Sequence, residues 1–150
     1  MNRQTDVPSL RWGFVGTGGI ASAMAEVITT MPLAALRGVS SRRMMGANEF
    51  ADRFDVALRF DDWQTMLESE DIDAIYVATP TSVREEISVA AADAGKHVLA
   101  EKPFVSSASV KRIVEACRRN DVAFMDGTHF VHHPRHHAIK TGMTQLVGHP

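Results

Sequence analysis

Trp12-Gly13-Phe14-Val15-Gly16-Thr17-Gly18-Gly19-Ile20-Ala21 is the stretch whose reading decides the fold. The apolar run from Trp12 to Gly16 reads as a strand ending in glycines, and a helical pattern opens at Gly19. In Gly16-x-Gly18-x-x-Ala21 each small residue has its own task. Gly16 permits the tight turn, Gly18 lets the backbone approach a pyrophosphate, and Ala21 lets helix and strand pack. N–H groups left unpaired at the helix start then face the anion. Gly16, Thr17, Gly18, Gly19 and Ile20 are therefore the expected dinucleotide-binding residues. Glycine-rich turns between strand and helix also occur as plain structure, but placement in the first such unit of the chain favours binding.

Outward from that turn the chain alternates short apolar runs with helical patterns, the signature of a parallel sheet wound by crossover helices. The first helix runs from Gly19 to about Thr30, ahead of Pro32. A strand at Ala34 to Ser40, a helix at Arg43 to Phe54 and a short strand at Ala57 to Phe60 follow. Asp61-Asp62 starts another helix, with Trp63, Met66 and Leu67 on its apolar side. Ala74 to Ala78 is continuous rather than alternating, as a strand covered on both faces requires. Thr79-Pro80-Thr81 breaks it, and Ser82 with Glu85 reads as a capping box. Val83, Ile87, Ala90, Ala91 and Ala94 mark the inner face of the next helix, closed by Gly95. His97 to Ala100 is a fifth strand. Val110, Ile113, Val114 and Cys117 sit at helical spacing, and Val122 to Met125 is a sixth strand. The expected fold class is α/β: a Rossmann-type doubly wound parallel sheet of about six strands with helices on both faces.

A length of 150 residues allows one domain with a real core. A net charge of −2 argues against a general nucleic-acid or membrane-surface binder. The one cysteine, Cys117, excludes an internal disulfide framework and suits a reducing compartment. It falls on the inner face of its helix and reads as a small core residue. Met24, Met31, Met44, Met45 and Met66 read as packing or surface. The start shows no apolar run resembling a signal peptide, and no window reaches the length of a transmembrane helix. A cytoplasmic protein without nucleic-acid or membrane partners is expected. Residues 1–9 read as a flexible tail, 10–128 as the dinucleotide-binding domain, and 129–150 as a connecting segment.

In NAD-preferring domains an acidic residue about twenty positions after the glycines bonds the ribose 2′-hydroxyl. Here that place reads Ser40-Ser41-Arg42-Arg43, with no carboxylate. Hydroxyl and guanidinium groups suit a 2′-phosphate, which arginine pairs through a planar fork. Ser41 and Arg42 are accordingly expected to hold NADP(H), favoured over NAD(H). The alternative is that Arg42 and Arg43 form a solvated helix start.

Glu101-Lys102-Pro103 stands at the end of the fifth strand. Ligands of open α/β sheets bind at such carboxyl ends. An ammonium there can hydrogen-bond a substrate oxygen and share in proton transfer. Four stretches together resemble the Gfo/Idh/MocA oxidoreductases, a family named for glucose-fructose oxidoreductase and inositol dehydrogenase. They are Gly-Thr-Gly-Gly-Ile-Ala at 16–21, Ala-Thr-Pro-Thr-Ser at 78–82, Ala-Gly-Lys-His-Val-Leu-Ala-Glu-Lys-Pro at 94–103 and Phe-Met-Asp-Gly-Thr-His-Phe at 124–130. The resemblance implies an NAD(P)-dependent dehydrogenase or reductase acting on a sugar, cyclitol or similar hydroxylated small molecule. It matches Lys102 to the family's active-site lysine, Glu101 to a residue near the nicotinamide end, and Thr79 and Pro80 to the turn over the cofactor's middle. It further implies a second α/β substrate domain after residue 150, a homo-oligomer at full length, and no turnover by these 150 residues alone. The competing reading is a non-catalytic dinucleotide-sensing or regulatory module, which has no need of Lys102.

Family members commonly carry Asn where this chain has Thr81 and His where it has Arg84. Arg84 is expected on the exposed face of its helix, with reach to a phosphate as the alternative. Five histidines crowd into 129–137, with His133 and His137 four apart. That spacing can place two metal ligands on one helix face, but no Cys or carboxylate is near to complete a site, and Pro134 begins the helix there. No metal site is expected. His129 reads either as a loop residue or as one lining the cleft beside the nicotinamide. Asp126 is expected to cap the turn that follows it.

Overall fold

Alternation of apolar runs with amphipathic helices produces, in order, β1 (Leu10–Val15), α1 (Gly19–Ile28), β2 (Ala34–Ser40), α2 (Met44–Phe54), β3 (Leu58–Phe60), α3 (Trp63–Leu67), β4 (Ala74–Val77), α4 (Thr81–Asp93), β5 (His97–Ala100), α5 (Ser107–Arg119) and β6 (Phe124–Asp126). A 3₁₀ turn at His129–His132 follows. The structure is a computed structural model describing residues 9–136, 138, 139 and 141. His137, the second half of the His133 pair, lies outside the described residues, as does the expected tail apart from Ser9.

The strands form one parallel sheet in the order β3-β2-β1-β4-β5-β6. This is the Rossmann arrangement, in which the strand order reverses between β1 and β4. Side chains alternate across the sheet and divide the core in two. Phe14, Val39 and Tyr76 pack with Ala21, Ala25, Ala47 and Phe50 of α1 and α2. Val15, Ile75 and Val77 pack on the other face with Met66, Ile87, Ala91, Ile113 and Cys117 of α3, α4 and α5. All four residues of β4 are buried, as its unbroken apolar run requires. Arg11 ties the start of β1 to the start of β4 with a forked pair to Asp73, Nε to Oδ2 at 2.9 Å and Nη2 to Oδ1 at 2.6 Å. That guanidinium holds the Asp73 carboxyl below the ordinary carboxylate range.

Two expectations about α4 are corrected. The helix begins at Thr81 with Pro80 as its extended N-cap residue and no side-chain capping bond. Ser82 therefore stands inside the first turn and cannot act as the cap of a capping box. Glu85 turns instead to Arg112 of α5, whose guanidinium holds the carboxyl down at about 2. The buried residues of α4 are Arg84, Ile87, Ser88, Ala91 and Ala92, a stripe rotated from the one drawn through Val83 and Ala94. Arg84 is thus an interior residue, and Val83 is 39% exposed. The other end of α4 closes as its sequence indicates, with Gly95 at φ +73°. Cys117 is buried, and Met66 is fully enclosed whereas Met31, Met44 and Met45 are exposed.

Candidate functional site

The site begins where β1 ends. Gly16 has φ +108°, a backbone conformation L side chains rarely adopt. A Cβ at this position would lie 2.6 Å from the carbonyl oxygen of Ala78, the residue after β4. Glycine is therefore required twice over, by conformation and by contact. Gly18, the N-cap of α1, and Gly19 behave differently: a Cβ at either would meet nothing within 4 Å. The backbone here lies open on its outer side, and the first N–H groups of α1 have no partner inside the helix. No side chain caps them. Such a cradle fits a pyrophosphate.

A cavity of about 460 Å³ opens beside this turn. It brings together Gly16, Thr17 and Gly18 of the glycine turn, Ser41 and Arg42 after β2, and Thr79 and Pro80 after β4. All seven are sequence-predicted site residues. Gly19 and Ile20 stand just outside its lining, exposed on the first turn of α1. The connection from β3 to α3 adds Asp61 and Asp62, and α3 itself adds Trp63, which the sequence assigned only to a helix start and its apolar side. Asp62 is engaged as the N-cap of α3, accepting from Thr65 N at 2.7 Å. Val83 and Glu86 of α4 complete the far wall.

Glu101 and Lys102 are not in that lining. They stand at the end of β5, two strands from the glycine turn. Glu101 is 4% exposed, and Lys102 beside it is exposed. The Tyr76 hydroxyl donates to Glu101 Oε1 at 2.7 Å. Burial, then this hydrogen bond, push the Tyr76 phenol well above its ordinary value, so it remains a neutral donor. His129 Nε2 lies 3.4 Å from the same oxygen, with its side chain exposed. Gly127 allows the carboxylate its seat, since a Cβ there would sit 2.9 Å from Glu101 Oε1. Tyr76 and Gly127 were missed as site residues. A tyrosine inside a fully buried strand is itself a signal, because its hydroxyl needs a partner.

Arg84 completes this cluster. Its guanidinium donates to the carbonyls of Thr79 and Pro103. Burial lowers its pKa, opposed by the nearby Glu101 carboxylate. The Lys102–Pro103 peptide is cis. Asp126 takes the expected capping role, accepting from Thr128 N at 2.9 Å. His133 accepts from Arg135 N at 3.1 Å. Among the described residues no group of three or more His, Cys, Asp or Glu is placed to hold a metal ion, and no helix is long and apolar enough to cross a membrane.

Comparison with known proteins agrees with this geometry. The Gfo/Idh/MocA description "Oxidoreductase family, NAD-binding Rossmann fold" matches residues 10–128. The chain is 31% identical over 141 residues to a dTDP-3,4-didehydro-2,6-dideoxy-alpha-D-glucose 3-reductase of Actinomadura kijaniata, covering 93% of this chain and 42% of that protein. It is 34% identical over 118 residues to a scyllo-inositol 2-dehydrogenase (NADP(+)) of Bacillus subtilis, covering 78% of this chain and 36% of that one. The chain thus spans about two fifths of the length of the curated relatives it matches. Among solved structures it resembles a 3-ketoreductase from Actinomadura kijaniata in complex with TDP-benzene and NADP, with a TM-score of 0.87 and 30% identity over 93% of this chain and 44% of that one.

Tyr76→Phe isolates the contribution of the buried hydroxyl, because the ring keeps its edge-on packing against Phe14 at 4.9 Å. The variant is expected to lose about 1–3 kcal/mol in urea unfolding at neutral pH, the cost of leaving a buried carboxylate short of a donor.

Proposed function

Because the chain belongs to the Gfo/Idh/MocA oxidoreductase family, we propose that it forms the cofactor-binding half of an enzyme transferring hydride between NADP(H) and a hydroxylated small molecule of the sugar or cyclitol class. The observation carrying this reading is the single cleft that joins the open glycine cradle to Ser41 and Arg42. When bound, the nicotinamide supplies the hydride-carrying chemistry. The first turn of α1, with Gly18, Gly19 and Ile20, holds the pyrophosphate by N–H groups and the helix dipole. Thr17 stands at the same turn, and Thr79 and Pro80 form the wall beneath the cofactor's middle.

Preference for NADP(H) over NAD(H) follows from what ends β2. No carboxylate is there to bond a 2′-hydroxyl, and Arg42 offers a fork and Ser41 a hydroxyl to a 2′-phosphate. The acidic groups of the cleft lie elsewhere, Asp61 and Asp62 on the next connection and Glu86 on α4, and Asp62 is occupied with Thr65. The B. subtilis relative has NADP in its name, and the A. kijaniata reductase was solved with NADP, which supports the same preference.

Lys102 is the catalytic residue in this reading. Exposed at the carboxyl end of β5, it hydrogen-bonds the reacting oxygen of the substrate, giving that oxygen a proton as the ammonium in reduction or taking one as the neutral amine in oxidation. Glu101, anchored by Tyr76, fixes the backbone from which Lys102 projects and borders the nicotinamide end. The remaining substrate contacts are assigned to a second domain and the full-length protein to a homo-oligomer, as in the reading from sequence. The lone buried Cys117 fits a reducing compartment, here the cytoplasm.

Calorimetric titration is expected to give tighter binding of NADPH than of NADH. Arg42→Ala should weaken NADPH by roughly tenfold to a hundredfold while leaving NADH unchanged, the scale of one charge-assisted hydrogen bond. Tighter binding of NADH by the parent chain contradicts the assignment. In the full-length protein, assayed on a panel of sugars and cyclitols, Lys102→Met is expected to abolish turnover and spare cofactor binding.

A further inference from the structure

We infer that Arg84 is a positioning residue that locks the two loops beneath the nicotinamide half of the cofactor into one rigid floor. The inference rests on the dinucleotide-binding function proposed above. Arg84 leaves the first turn of α4, yet it is 5% exposed. Its Nη2 donates to the carbonyl of Thr79, in the turn after β4, and its Nη1 to the carbonyl of Pro103, in the loop after β5. Thr79 lines the cofactor cleft, and Pro103 directly follows Lys102. One planar group therefore joins the wall of the cofactor site to the segment bearing the lysine.

The topology says which half of the cofactor these loops serve. In this strand order a dinucleotide crosses the reversal point with its pyrophosphate on the β1 turn and its adenosine ribose at the end of β2. The nicotinamide half then extends over the ends of β4 and β5, where the two joined loops lie. The adenosine half rests on Ser41 and Arg42, which Arg84 does not touch.

Packing alone does not account for this side chain. A buried guanidinium carries a large desolvation cost, and an apolar side chain of similar volume commonly serves stability as well or better. Here Nε is buried without a hydrogen-bond partner, which adds to that cost. What an apolar group lacks is the fork that reaches two carbonyls at once, and a lysine ammonium is a point donor rather than a fork.

The test uses the 150-residue chain, its Arg84→Met and Arg84→Lys variants, and two probes: NADP+ and adenosine 2′,5′-bisphosphate, which lacks the nicotinamide half. Saturation-transfer NMR reads contact at adenine and nicotinamide protons separately, and titration reads affinity. Both variants are expected to keep the adenine signals, lose most of the nicotinamide signal, and bind NADP+ roughly tenfold more weakly, the scale of one lost hydrogen bond. Their affinity for the bisphosphate should be unchanged. Should Arg84→Met fail to fold by circular dichroism, Arg84→Lys, which retains the charge, decides. Equal weakening of both probes, or an unchanged nicotinamide signal, overturns the inference and leaves the dinucleotide proposal standing. A parent chain that contacts adenine but not nicotinamide does the same. A parent chain that binds neither probe overturns the dinucleotide proposal and the inference with it.

Discussion

The structure depends on one close approach, that of Gly16 to the carbonyl of Ala78. The chain leaving β1 must turn across the end of β4 at a distance no side chain allows, with a Cβ placed only 2.6 Å from that oxygen. The positive φ of Gly16 turns the chain so that α1 starts at Gly19 with its N-terminus over the crevice. That crevice exists because the strand order reverses there, so that β2 and β4 flank β1 on opposite sides. Everything the site does follows from this geometry. The helix N-terminus supplies N–H groups at one point, the end of β2 supplies Ser41 and Arg42 on one side, and β4 and β5 supply Thr79, Pro80, Glu101 and Lys102 on the other.

The second side is built differently from the first. The cradle of α1 is backbone and open space, whereas the ends of β4 and β5 are held by a polar cluster in which Tyr76, Glu101 and Arg84 are buried. Tyr76 donates to Glu101, His129 stands against the same carboxylate, and Arg84 binds a carbonyl on each loop. Buried charge is tolerated only where partners satisfy it. These residues therefore constrain one another, and Gly127 leaves the room they need.

What was legible in the sequence divides along the same line. Glycines and a short apolar run report backbone geometry directly, so the turn at 16–21 and the six strands were readable from residue type alone. Ser41 and Arg42 were placed by their distance along the chain from the glycines, whereas Thr79 and Pro80 were placed only by resemblance to the family. The cluster was not readable in this way. Helical periodicity through Val83, Ile87 and Ala94 followed hydrophobicity, but the buried stripe of α4 includes Arg84 and Ser88, which are admitted because each finds partners. The Ser88 hydroxyl donates to the Arg84 carbonyl at 2.7 Å, and the guanidinium finds the carbonyl of nearby Thr79 and that of Pro103 on the loop after β5. Val83 in turn borders the cleft. The expected capping box failed for a related reason: with Pro80 as its N-cap the helix starts two residues early, and Glu85 finds an arginine on α5. Long-range partners of this kind leave no periodic trace.

The central claim, that the glycine turn seats the pyrophosphate of a nicotinamide dinucleotide, is tested most directly by following backbone amide resonances of the ¹⁵N-labelled chain as NADPH is added. The largest shifts are expected on Gly18, Gly19 and Ile20, with Ser41 and Arg42 following at the same ligand concentrations. Saturating shifts confined to other surfaces, or none at all, would contradict it.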